Sequence, residues 1–171
     1  IAESTGYKKH LNTHDVIRID FSRMPRNCNS YDKYIERIER ILIQDLMEAY
    51  PKADIQEEDA VWDSLDLVYE RYGCQRFIFV FDEWDCIFHK DFITDEDKKK
   101  YISFLSSLLK DKAYVLLSYM TGILPIAKYS SGSELNMFAE YTMVSEEKFS
   151  DAFGFTETEV DMLYARFLKN T

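Results

Sequence analysis

Residues 82 to 85 read Asp-Glu-Trp-Asp and follow directly on the apolar run Phe77-Ile78-Phe79-Val80-Phe81. Three carboxylates within four positions repel one another unless a cation shares them, and a hydrated magnesium ion with a phosphate ligand is a natural counter-charge. An apolar run ending in Asp-Glu is the Walker B pattern, in which the Asp holds the magnesium shell and the Glu orients and deprotonates the attacking water. The spacing casts Asp82 as a metal ligand, with Asp85 a second one, and Glu83 as the catalytic base. The plain alternative is a strand end that re-enters water. Two features favour chemistry: the run is apolar enough for burial on both faces, and the next apolar stretch, residues 114 to 121, ends in Ser118 and Thr121. Polar groups there stand where sensors of a γ-phosphate sit, and Gly122 after Thr121 allows a sharp turn at the sheet edge.

Other chemistry-bearing residues carry less. His10 and His14 have i, i+4 spacing but no third ligand beside them, and His89 near Asp85 and Asp91 reads as a surface residue. Cys28, Cys74 and Cys86 are odd in number and far apart, which suggests neither a disulfide framework nor a zinc site and fits a reducing, cytoplasmic compartment. Trp84, between two acids, is placed to pack under the strand end and fix both carboxylates.

The elements that must position these residues follow from periodicity. Residues 16 to 21, Val-Ile-Arg-Ile-Asp-Phe, read as a strand. Tyr31, Tyr34, Ile35, Ile38, Ile41, Leu42, Leu46 and Ala49 have the spacing of an amphipathic helix that Pro51 stops. A second stripe, Val61, Leu65, Val68 and Tyr72, closes at Gly73. After the acidic cluster, Thr94 with Asp97 forms a capping-box variant for a helix running to about Lys110, and Thr156 with Glu159 forms another, with Phe155 and Val160 as its hydrophobic staple. Residues 114 to 121 and 138 to 144 read as further strands. Strands that are apolar throughout, alternating with helices, imply an α/β fold with a parallel sheet covered by helices on both faces, in one domain over residues 1 to 171. In such a sheet ligands gather at the carboxyl ends of the strands, where Asp82 to Asp85 fall.

The bulk numbers exclude some functions. With 21 Lys and Arg against 31 Asp and Glu the chain carries a net charge of -10, the wrong sign for coating a phosphate backbone, so no direct contact with nucleic acid is expected. No apolar run reaches the roughly 18 residues of a membrane span. The twelve Tyr and twelve Phe fall mostly in strands and helix stripes, where core packing explains them better than base stacking.

The stretches YKKHLNTHDVIRIDFS, FIFVFDEWD, YMTGILPIAKYSSGSELNMF and FGFTETEV, in that order, resemble the bacterial AAA-ATPase-like family, whose members often carry a PD-(D/E)XK nuclease-like domain behind the ATPase. The resemblance covers nearly the whole chain. It implies a P-loop NTPase-like three-layer α/β/α fold, ATP and Mg2+ as ligands, Asp82 and Glu83 in the Walker B roles, and Thr121 as the sensor. Trp84 and Asp85 stand where the family usually has Tyr and Asp, and Ile87 where it often has Pro.

The G-x-x-x-x-G-K-[ST] frame of a P-loop is absent from these 171 residues, and Ser4 to His10 only imitates its composition. The resemblance therefore implies a domain without its first strand and P-loop helix, meeting nucleotide through an upstream P-loop and hydrolysing ATP poorly by itself. An apolar sheet edge left by the missing strand would favour a homodimer through that edge or a local rearrangement. Three rivals stand beside this expectation. A PD-(D/E)xK nuclease needs an acid-x-Lys on the strand after the acids, and residues 114 to 121 offer none. A phosphoacceptor module built on Asp82 would draw on Asp20 and Lys148, which serve only loosely. An interaction or regulatory module with an ATPase-like fold and no catalysis fits the absence of the P-loop.

Overall fold

In the computed structural model, residues 6–126, 129, 134–142 and 154–169 are described, and the chain divides into two compact units, Ile1–Phe138 and Ala139–Thr171. The first holds a parallel sheet of three strands among the described residues, β1 (Asp15–Asp20), β2 (Phe77–Asp82) and β3 (Val115–Met120), in the order β1-β2-β3. Parallel neighbours need long crossovers. A short helix α1 (Tyr7–His10) precedes β1, α2 (Tyr31–Ala49) and α3 (Val61–Arg71) join β1 to β2, and α4 (Asp95–Leu109) joins β2 to β3.

Local signals set the helix ends as expected. Ser30 caps α2 by accepting from the Lys33 amide at 3.4 Å. Thr94 and Asp97 close a full capping box on α4, the Asp97 amide donating to Thr94 Oγ1 at 3.1 Å and the Thr94 amide to Asp97 Oδ2 at 3.0 Å. Gly73, at φ 68°, ends the α3 segment in the left-handed region that a side chain disfavours. Pro51 stops α2 and opens a 3-10 turn, Pro51–Ala53.

The core lies on one side of the sheet. Phe77, Phe79 and Phe81 are buried in a single cluster with Tyr34, Ile35, Leu42, Ile43 and Leu46 of α2, Leu65 and Val68 of α3, and Tyr101, Leu105 and Leu108 of α4. Their register partners Ile17 and Ile19 on β1 share that side, since side chains paired across neighbouring strands point the same way. On the opposite face Val16, Leu117 and Tyr119 are 54, 56 and 52% exposed, and Ile78 and Val80 between them are half-buried. Of the helices expected on both faces, α2, α3 and α4 of the first unit share one face. A wholly apolar run cannot say which alternate positions are covered, because Ile78 and Val80 are as apolar as the three phenylalanines.

Opposite Phe77 and Ile78 the pairing slips by one residue: Phe77 pairs with Val115 and Ile78 with Leu117, leaving Leu116 as a bulge. One inserted residue turns everything after it to the other face. Ser118 and Met120 therefore align with Phe79 and Phe81 toward the core, while Leu117 and Tyr119 align with Ile78 and Val80 on the open face.

No strand covers the described part of the fourth expected strand, residues 138 to 142; positions 143 and 144 lie outside the described residues. The second unit contains α5 (Glu157–Lys169), whose predicted capping box is present, Thr156 Oγ1 and the Thr156 amide both donating to Glu159 Oε2 at 2.9 and 2.8 Å. No helix among the described residues is long and apolar enough to cross a membrane.

Candidate functional site

The carboxyl ends of β1, β2 and β3 bring Asp20, Asp82 and Thr121 to one edge of the sheet, Asp20 and Asp82 being register partners. Thr121 continues β3 by one residue, its amide donating to the Phe81 carbonyl at 2.8 Å. That places its hydroxyl against Asp82: Thr121 Oγ1 donates to Asp82 Oδ1 at 2.5 Å, a short bond typical of a hydroxyl on a carboxylate. The other oxygen of Asp82 faces Arg18 Nη2 at 3.7 Å across the open side of the sheet. Both partners of that ion pair are well exposed, so it contributes about 0–1 kcal/mol and can yield to a competing cation.

Glu83 begins the turn after β2 at φ 54°, left-handed backbone that is uncommon for a residue with a side chain. The twist leaves Glu83 exposed, its amide 3.4 Å from Thr121 Oγ1, and sends Trp84 and Asp85 back into the protein. Trp84 is 2% exposed, held by its amide to the Thr121 carbonyl at 3.0 Å and by its carbonyl, which accepts from Tyr101 Oη at 2.7 Å. Burial pushes the Tyr101 phenol far up from its ordinary pKa, so it stays a protonated donor. The expected place for Trp84, beneath the strand end, is where it lies.

Asp85 does not join Asp82. It is 1% exposed and its Oδ2 accepts from the amides of Ile123 and Leu124 at 3.0 and 2.8 Å, while Oδ1 has no hydrogen-bond partner. Nor does Ser118, which the bulge turns to the helix-covered face, where its hydroxyl is buried without a partner. Of the five residues singled out from sequence, the structure brings together Asp82, Glu83 and Thr121.

Arg18 is the neighbour that sequence reasoning passed over. It lies two positions before Asp20 in a strand, which puts both on one face, and its register partner Val80 is two residues from Asp82. The carboxylates are therefore compensated within the chain: Asp82 by Arg18 and Thr121, Asp85 by two amides, and Asp20 by Ser22 and Arg23. Hydrogen bonds from the Ser22 hydroxyl and amide, with the Arg23 guanidinium at 2.9 Å, hold the Asp20 carboxyl below the usual carboxylate range.

No family model, curated protein or solved structure matches this chain. What the site can hold must be judged on its donors. Among the described residues no three His, Cys, Asp or Glu side chains converge as a metal cage. One carboxylate and one hydroxyl, both hard oxygen donors, suit magnesium, which keeps most of its waters and uses few protein ligands. Asp82 and Thr121 fit that donor set; Asp85, with its carboxylate committed to the loop, does not.

Proposed function

We propose that these residues are the hydrolytic half of a magnesium-dependent ATPase-like site in a P-loop NTPase-like sheet. The observation that carries the proposal is the 2.5 Å bond between Thr121 Oγ1 and Asp82 Oδ1 at adjacent carboxyl strand ends, with Glu83 exposed beside them. The strand order β1-β2-β3, with all three parallel, is compatible with that architecture. Asp82 would hold the hydrated magnesium ion, whose charge offsets that building on a transferring phosphoryl group. Glu83, free in solvent, takes the proton of the attacking water. Thr121 keeps Asp82 in one rotamer by donating its one hydroxyl proton to that carboxylate, and its free lone pair stands beside the ion. The phosphates themselves need the G-x-x-x-x-G-K-[ST] frame, whose spacing these 171 residues lack, so a P-loop from outside them completes the site.

Calorimetry with ATP and Mg2+ tests this on the chain alone and on a version preceded by its P-loop segment. Binding by the longer version only, lost in Asp82→Asn and kept in Glu83→Gln with turnover abolished, is the expected pattern. No binding by either version would discard it.

A second function, an interaction or regulatory module with no catalysis, is favoured by one observation of its own. The open sheet face, with Val16, Leu117 and Tyr119 more than half exposed beside Ile78 and Val80, is a contiguous apolar surface of the kind that marks association sites. A second copy of the chain, meeting it along β3, is the partner this surface would serve.

A further inference from the structure

We infer that Asp85 is the positioning residue of the Asp82–Thr121 pair, fastening the loop that carries Thr121 to the turn that carries Glu83, and is not a metal ligand. The pair's role in holding magnesium rests on the function proposed above; the fastening rests on geometry alone. Past Met120 the β2–β3 ladder runs out, and two bonds continue it: the Thr121 amide to the Phe81 carbonyl at 2.8 Å and the Trp84 amide to the Thr121 carbonyl at 3.0 Å. Beyond Thr121 the described residues offer no further strand partner on the β2 side, because the chain there has turned into Trp84 and Asp85. The Asp85 carboxylate replaces that partner. One oxygen, Oδ2, takes the next two amides, Ile123 at 3.0 Å and Leu124 at 2.8 Å, and a carboxylate accepting from backbone N–H groups makes charge-assisted bonds stronger than neutral ones.

The loop lies flat on the two side chains. A Cβ on Gly122 would come within 2.4 Å of Trp84 Cδ1, 2.5 Å of Trp84 Nε1 and 2.6 Å of Asp85 Oδ1. Oδ1 is therefore closed in by Gly122 and Trp84, while Asp85 as a whole is 1% exposed. An oxygen in that position has no approach for a hydrated ion. Anchorage runs onward through the Trp84 carbonyl to Tyr101 on α4, so helix α4 sets Trp84, Asp85 sets the loop, and the loop sets Thr121 on Asp82. His89 Nε2, 3.9 Å from Oδ2 and mostly exposed, adds only a weak contact from the rim.

Amide hydrogen exchange on 15N-labelled protein, with and without Mg2+, tests the inference in wild type, Asp85→Asn and Asp85→Ala. Asn keeps a carbonyl oxygen for both amides, so Ile123 and Leu124 should exchange within about threefold of wild type, whereas Ala should speed both by about tenfold or more and leave Phe79 and Leu105 unchanged. The Thr121 methyl resonance should move in Ala and not in Asn. Unchanged protection in Ala, or loss in Asn equal to that in Ala, would overturn the inference. Should Asp85→Ala fail to fold, Asp85→Ser, with a hydroxyl too short to reach both amides, is judged by the same readouts. Any Mg2+-induced shifts at Asp82 and Thr121 should persist in Asp85→Asn; their loss there would make Asp85 a ligand and overturn the inference. If Mg2+ shifts nothing in wild type, the magnesium role fails and the exchange comparison still decides the fastening.

Discussion

Asp82 is held on both sides by its own chain, and the two contacts differ in kind. The Thr121 bond is short and partly buried; the Arg18 contact is long and lies in solvent. Replacing Thr121 by Val removes the first and leaves Asp82 leaning on Arg18 alone. Ser118 makes a contrasting case, since its buried hydroxyl has nothing to bond in a layer of aromatic and aliphatic side chains. A buried hydroxyl without a partner is a liability, so Ser118→Ala should raise stability by about 1 kcal/mol, read as a higher urea midpoint at unchanged slope. A loss of stability would show that the hydroxyl is satisfied in solution. Gly122 is the opposite extreme. Any side chain there drives into Trp84 and Asp85, and Gly122→Ala should cost about 2 kcal/mol by overpacking. In a Trp62→Phe background, where Trp84 is the sole indole, the same substitution should red-shift the emission as the ring is pushed toward water.

At the scale of elements, the caps and the acid cluster act through the same chemistry in different places. The Thr94–Asp97 box opens α4, the helix that anchors Trp84 through Tyr101, so Thr94→Ala should cost about 1 kcal/mol and loosen the turn bearing Glu83. Hydrogen bonds from the Thr94 amide and hydroxyl lower the pKa of Asp97, and those from Thr156 lower that of Glu159. A carboxyl depressed in the folded state contributes stability above its unfolded pKa, and the contribution is lost as pH falls through the folded value. Helix content measured by circular dichroism should therefore hold from neutrality to the ordinary carboxylate range and fall below it, with Thr94→Ala already frayed at neutral pH. These caps were legible in the sequence because they depend on two residues three apart. So were the three apolar strands and the Asp82–Glu83 strand end. The bulge at Leu116 was not: nothing in Val-Leu-Leu-Ser-Tyr-Met distinguishes a register slip, yet it alone sends Ser118 to the core and leaves Thr121 in position for Asp82. The partners of Asp85 were hidden for a related reason. Its sequence neighbours are carboxylates, but its partners, Ile123 and Leu124, lie 38 and 39 residues away and offer only backbone amides.

Across the first unit, a sheet with one covered face must deal with the other. Among the described residues, Val16, Ile78, Val80, Leu117 and Tyr119 form two rows on the open side, interrupted only by Arg18, and β3 is an edge strand with no strand partner on its outer side. Apolar surface of this sort gains roughly 25 cal/mol for each Å² removed from water, and an unpaired edge adds a hydrogen-bonding template. The net charge of -10 works against self-association at low salt, and screening relieves it as ionic strength rises. Light scattering at increasing chain concentration should therefore show a dimer that is favoured by salt, the reverse of an association driven by ion pairs. Leu117→Lys with Tyr119→Lys should abolish it and lower the binding of an apolar dye, while leaving the fold intact, because both side chains already stand more than half in water. A strictly monomeric chain that binds no dye at any salt concentration would refute the dimer. If instead a preceding P-loop segment suppresses both dye binding and the dimer while conferring ATP binding, that segment covers the open face and serves the proposed ATPase residues at once, and the dimer is not the role of the face.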